Sequence, residues 1–555
     1  MKQFFRSLLL SLLYSAALTF LLNFVIRPLF KKLKRVIYLR RHPKEAEYLR
    51  RLSDPDFRDA IREVNREFPK IKGLSKPKVR MPVLLLPLIL LVSITGFWNP
   101  FAHVHLQWFS GNTWYVDPAA GGLNNGTSWT NAWTSLSLSG VAAGDTVYIS
   151  GGAQGNTQTY NLAGAFNSIT GFCSGTVGSW VTYKIGQDSA HNGTAIFNWT
   201  SGYSEFLNAV GSFSYFIVSG DAGDGAMHFQ TSNYALGINW ASLVGVRASY
   251  INFGSIPKIG ISNPCTGLEV DHCYAYCTNL TTADYCFYAQ CTGSAYDVNL
   301  FHDNTFYVPY NSALDGTGMD AWKLNGNGWS MYNNLIIGYS ASFTEGEHQD
   351  GVQSNAPASY VKIYNNLFIN MQNYDIYFGQ PLGNIAHLWV YNNIGINTVG
   401  SGTQSIAIAG YTDSPGPYTV TDCIIANNLG DGFYNTFTLR DPNHGTTSGI
   451  FVTCYAYNNT AVNPSNSNIF DPAVTAANNV TVTAAQAPSD FVTWILNSIS
   501  NNYHLKAGAS ALIGTGTNCS AWFSIDKDNN SRAAPWDIGP YKYIASGSGL
   551  IMVRK

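Results

Sequence analysis

Basic residues are scarce over most of this chain. Of the 32 Lys and Arg in 555 residues, 20 lie within the first 80 and 12 in all that follows. The larger part therefore lacks the clustered cations that nucleic acid requires, and a strongly anionic polysaccharide would need a cation to mediate. Helical periodicity is missing as well. Between Leu268 and Thr460 no segment carries apolar residues at i, i+3, i+4 and i+7 over ten or more positions, and Gly and Asn interrupt every candidate. No Cys-x-x-Cys pair and no His spacing points to zinc.

What is present instead is a returning phrase. It reads Val270-Asp271-His272-Cys273, Phe301-His302-Asp303-Asn304, Met331-Tyr332-Asn333-Asn334 and Ile363-Tyr364-Asn365-Asn366, and continues at Asn393, Asn428 and Asn459. Successive phrases end 31, 30, 32, 27, 35 and 31 residues apart, which marks an internal repeat. Alternating apolar residues such as Val361 and Ile363 precede each phrase, the period of a strand with one buried face. A unit of short strands and turns cannot bury that face alone, so copies must stack. Equivalent residues then sit about 4.8 Å apart. Asn suits such a corner because it tolerates left-handed backbone and its amide can bond to the amides above and below.

With these phrases the chain resembles the right-handed parallel β-helix, or pectin lyase fold, superfamily. Two flanking stretches are similar to its opening and closing segments: Thr113 to Pro118 with Gly144-Asp145-Thr146-Val147-Tyr148-Ile149, and Ser510 to Gly516 with Trp536-Asp537-Ile538-Gly539. The resemblance covers residues 113–543 and implies an all-β right-handed parallel β-helix solenoid. It is less specific for activity.

The first 80 residues carry a net +13 and the rest −14, an asymmetry that implies different compartments. Ser7 to Ile26 and Met81 to Ala102 are uncharged runs long enough to span a bilayer. The expected organisation is a membrane region over 1–103, with α-helical transmembrane segments 7–26 and 81–102 and a basic cytoplasmic loop 27–80. A linker 104–112, the β-helix 113–543 and a tail 544–555 follow. The β-helix would then be extracellular or periplasmic. A start at Met81 is the competing reading of the N-terminus. Within the loop, Phe57, Ile61, Val64 and Phe68 form an amphipathic face that lies on the membrane or pairs with another copy in an oligomer. Asp490 to Ser500 reads as a short helix covering the open end. Cys265, Cys273, Cys277, Cys286 and Cys291 read as a disulfide-forming cluster, whereas Cys423 and Cys454 would either bridge or pack.

The densest ionisable cluster is Glu345 to Gln353, one repeat after Met319-Asp320-Ala321-Trp322-Lys323. Asp320 and Asp350 are 30 residues apart, so they should stack, with Lys323 beside Gln353. Two carboxylates at that spacing must hold a proton, a cation or an ammonium. The expected catalytic set is Asp320, Lys323, Glu347, His348 and Asp350, with Trp322, Gln353 and Tyr377 binding substrate. Ca²⁺ on Asp320 and Asp350 is the one cofactor implied. Such a set would cleave a polysaccharide as a glycoside hydrolase through paired acids, or as a lyase in which Lys323 or His348 takes the proton beside a uronate. Two plainer readings stand beside it. Asp320 and Asp350 would each cap a turn, and Trp322, Trp329, Trp389 and Tyr377 would fill the core and form no sugar platform. The rival function is a non-catalytic spike or adhesion rod binding a surface glycan.

Overall fold

The computed structural model describes residues 111–199, 207–208, 213–231, 238–239, 244–256, 259–277, 285–308, 320–338, 349–379, 383–398, 404–408, 419–440 and 450–545. The proposed membrane segments, the basic loop, Glu347 and His348 lie outside these residues. No helix among the described residues is long and apolar enough to cross a membrane. The parallel strands run from Thr113–Val116 to Val480–Val482. They form sheets of 24 and 12 strands, the larger holding two faces that meet in the long strand Ile259–Asp271. This is a right-handed parallel β-helix with three faces.

The alternation read from sequence sets the winding. Val361, Ile363, Leu388 and Val390 are fully buried, and their strands pair in parallel with Val361 opposite Leu388 and Ile363 opposite Val390. Between the first and second faces every corner from His272-Cys273 to Asn478-Asn479 is two residues long. The two positions divide the work expected of one asparagine. The first holds left-handed backbone, with φ between 53° and 59° at His272, Asp303, Asn333, Asn365, Asn392, Asn427, Asn458 and Asn478. The second forms a buried ladder. Asn304 Nδ2 donates to Asn334 Oδ1 at 3.0 Å, and the same bond repeats to Asn366, Asn393, Asn428, Asn459 and Asn479 at 2.8–3.0 Å.

The outer asparagines hold the end of the chain. Asn392 Nδ2 donates to the Ile525 carbonyl, Asn427 Nδ2 to those of Asp537 and Gly539, and Asn458 Nδ2 to that of Thr517. Lys527 Nζ reaches the carbonyls of Asn365 and Asn366. Residues 517–541 thus form a strap along the corner column that reaches upstream as far as Asn365. The end cover differs from expectation. The helix is a single turn, Ala487–Asp490, and Phe491–Thr493 is a strand antiparallel to Asn502–Leu505. Phe491 fills the core edge while Val492 and Thr493 face out, and Phe491 pairs with Leu505 across the two strands. Cys277 and Cys286 are joined in a disulfide, while Cys265 and Cys291 lie 3.8 Å apart as buried thiols. Cys423 and Cys454 pack as buried thiols at equivalent positions of adjacent coils.

One glycine is placed by a carboxyl group. Gly395 faces the core, where an added Cβ would overlap Asp375 Oδ2 and come within 2.6 Å of Ser405 Oγ. Gly395→Ala is expected to lower unfolding free energy by about 3 kcal/mol, the upper range for overpacking a filled core, as read by urea denaturation.

Candidate functional site

Connections around the third face, the one carrying Asp320–Gly326, vary far more than the two-residue corners. Between the second and third faces they range from two residues after Ile256 to fourteen after Ile337. On the far side, from the third face back to the first, they range from none, in the continuous strand Ile259–Asp271, to eleven after Ile408. A stiff wall bordered by long, variable loops is where a β-solenoid can hold a ligand without disturbing its own hydrogen bonding. The column of this face that points away from the core is Tyr288, Lys323, Gln353 and Tyr377, placed side by side by strand register; Tyr288 and Lys323 are half-buried, whereas Gln353 and Tyr377 are buried at 3% and 8% exposure.

The expected stacking holds. Asp350 N donates to Asp320 Oδ1 at 3.2 Å, and Lys323 is in register with Gln353. Both carboxylates are buried, at 2% and 0% exposure. Asp350 Oδ1 accepts from Tyr374 N at 3.2 Å and Oδ2 from Gln353 Nε2 at 3.0 Å. Each carboxylate therefore receives the backbone N–H of the next coil, as a turn cap does. These N–H groups stabilise an anion and take some of the carboxylate lone pairs, and two carboxylates alone fall short of the six to eight oxygens that Ca²⁺ takes. No step below uses Ca²⁺.

A third carboxyl, which the sequence reading did not name, joins the two acids. Asp375 is buried beside Asp350; burial and then the Asp350 charge push its carboxyl well above the ordinary range, although Ser405 Oγ donates to it at 2.6 Å. A carboxyl raised in the fold binds its proton more tightly there than in the unfolded chain, so this group's contribution falls as pH rises above the unfolded value near 3.8. Asp375→Asn, which never ionises, should flatten that part of the stability profile when thermal unfolding is followed from pH 4 to 8.

Lys323 is half-buried, with its ammonium 5.7 Å from the centre of the Tyr285 ring. Tyr377 stacks on Tyr374 at 4.5 Å and lies across Gly379, where any Cβ would strike its phenol end. Trp322 corrects the sugar-platform reading. It is fully buried, 4.3 Å from Phe287 and 4.4 Å from Phe306 between ring centres, because its register position points into the core. Trp329 is also fully buried. Trp389 packs 4.5 Å from Tyr296.

A second cluster was not singled out from sequence. On the first face, Arg247 Nε and Nη2 bind the two oxygens of fully buried Asp271 at 2.8 and 2.9 Å, and His272 Nδ1 lies 2.8 Å from Asp271 Oδ2. One coil on, His302 Nδ1 is 2.9 Å from Asp303 Oδ2 and Nε2 is 3.2 Å from Glu269 Oε1. Burial alone would lower the His302 pKa. The bonds to Asp303 and Glu269 outweigh it and raise the imidazolium to about 9. Below His302 the rings of Tyr332, Tyr364, Tyr391 and Phe523 stack at 4.3–4.8 Å. Their faces are occupied by one another, so this column stiffens the wall and offers no stacking surface to a sugar. The available signal was that only the first two phrases, Asp271-His272 and His302-Asp303, replace the later Tyr-Asn or Ala-Asn.

No protein-family model and no curated protein matches the sequence. Among solved structures, pectate lyase Pel9A aligns with a TM-score of 0.40 at 15% identity, covering 79% of this chain and 98% of that one. A rhamnogalacturonan lyase gives 0.40 at 14%, covering 72% and 98%. The tailspike protein of E. coli bacteriophage HK620, in complex with a pentasaccharide, gives 0.28 at 10%, covering 66% and 72%. Likenesses this distant transfer no activity.

Proposed function

We propose that the protein acts on carbohydrate, with a glycan chain lying along the third face over Lys323, Gln353 and Tyr377 and being cleaved there. The observation that carries this reading is the outward Lys323, set on a rigid wall in register with Gln353, with connections of twelve and fourteen residues entering this face after Tyr307 and Ile337 and short ones of two and three residues leaving it after Gly326 and Ser354. In a lyase the Lys323 amine takes the proton beside a uronate carboxyl, the electron pair forms the new double bond, and the glycosidic oxygen leaves. Gln353, whose Nε2 is held by Asp350 and whose Oε1 accepts from Asn355 at 2.9 Å, is a positioning residue. Glu347 and His348 belong to the loop that enters this face and complete the proposed set. Residues 1–103 would anchor the β-helix to a membrane and leave it extracellular or periplasmic.

The non-catalytic rod remains the second reading, favoured by the Asn ladder and the capping role of both acids, which are devices of rigidity. The test is incubation of the full chain with a panel of neutral and uronate-containing glycans, with and without Ca²⁺. Ultraviolet absorbance reads an unsaturated product and a reducing-end assay reads hydrolysis. Turnover supports cleavage; binding with no product supports the rod; neither would remove the carbohydrate reading.

A further inference from the structure

We propose that His272, His302 and Asp303 form a binding site for a divalent transition metal, with Zn²⁺ as the reference ion. One ring nitrogen of each histidine and a carboxylate oxygen of Asp303 lie within 4.8 Å of one another. Two imidazoles and a carboxylate suit Zn²⁺, Co²⁺ or Ni²⁺ better than Ca²⁺ or Mg²⁺, which prefer oxygen alone. The sequence conceals the set because His272 and His302 are 30 residues apart and meet only through the stacking of coils.

The surroundings are those of a built site. Asp271 Oδ2 lies 2.8 Å from His272 Nδ1 and Glu269 Oε1 3.2 Å from His302 Nε2. His272 thus has Nδ1 on Asp271 and keeps Nε2 for a cation, while His302 has Nε2 on Glu269 and Nδ1 on Asp303 at 2.9 Å, the contact a cation would replace, as in carboxylate–histidine–metal arrangements. Asp271 is itself immobilised by Arg247. Tyr250 stacks on His272 at 4.4 Å and Tyr332 on His302 at 4.6 Å, which holds both ring planes. The alternative trio Glu269, Asp271 and His302 is also close, but Arg247 lies 2.8 Å from Asp271 and 3.4 Å from Glu269. A guanidinium there repels a cation.

Binding replaces the proton between His302 Nδ1 and Asp303 with the metal, so one proton is released per ion. Three protein ligands leave a position for water or a ligand group. The C-terminal strap reaches only to Asn365, so it leaves this stretch of corners uncovered.

The experiment is calorimetric titration of untagged, chelator-treated full chain with ZnCl₂, CoCl₂ and CaCl₂, paired with thermal unfolding and the visible spectrum of the Co²⁺ form. One equivalent of Zn²⁺ or Co²⁺ is expected to bind and raise the melting temperature, while Ca²⁺ does neither. His302→Gln and the more exposed His272→Gln should each weaken binding at least about tenfold, within the range that loss of a metal-site residue produces. His387→Gln, at a surface His–Asp pair on Asp422, should leave it unchanged. Absence of Zn²⁺ binding overturns the proposal, as does equal affinity in a folded His272→Gln variant or a preference for Ca²⁺.

Discussion

Asn366→Ala is expected to lower unfolding free energy by about 4 kcal/mol. The side chain is fully buried, and its Nδ2 donates to the Met331 carbonyl and to Asn393 Oδ1, both at 3.0 Å. Its Oδ1 accepts from the backbone and side-chain nitrogens of Asn334 at 3.0 and 2.9 Å. A single hydrogen bond contributes only about 1 kcal/mol net, but a buried partner left unsatisfied costs about 1–3 kcal/mol. Truncation orphans groups on both neighbouring coils at once, and water cannot enter the filled corner to replace the amide. Asn333→Gly, one residue before the ladder and solvent-exposed with φ 56°, is the control. Glycine accepts that backbone without strain, so its effect should stay within about 0.5 kcal/mol, the range of surface substitutions. Urea unfolding of both variants checks the contrast; equal losses would show that the outer asparagine side chain contributes as much as the buried ladder and would overturn the ladder's special weight.

Lys323→Ala should reduce turnover on whichever glycan the panel identifies by about 10²–10⁴-fold, the usual contribution of a positioned proton-transfer group. The fold should persist, since the side chain is half-buried on the outward column and the core residues Trp322 and Leu324 on either side are untouched. Lys323→Arg separates two roles. Arginine keeps the positive charge but does not deprotonate in a protein, so it restores activity if Lys323 only binds a sugar acid and fails if it carries the proton. Asp350→Asn is a poorer test than the sequence suggests. That carboxylate accepts from Tyr374 N and Gln353 Nε2 within the wall, so its replacement alters the support together with any chemistry. Turnover unchanged in Lys323→Ala would move the site away from this column.

The solenoid was legible because each coil bonds to the next at one repeat's distance. Periodic identity in sequence becomes contact in space, as Asn334 and Asn366 show. The same rule placed Asp320 against Asp350 and Lys323 beside Gln353. It did not reveal that two adjacent asparagines divide the corner between them, since both read as turn residues. Nor did it show the strap, whose bond from Asn427 to Asp537 joins residues 110 apart and follows no repeat.

Sequence alone determined the architecture and the order of its coils, because a wall of parallel strands is specified by short-range alternation and a constant period. Tertiary structure alone decided which acids face solvent and which groups converge. Asp320, Ala321 and Trp322 are consecutive and all buried, although alternation assigns neighbours to opposite faces. Residues entering a corner are enclosed from more than two directions, and period-two patterning describes only two. The same enclosure sets His302 between Glu269 and Asp303, a meeting produced by the stacking of coils.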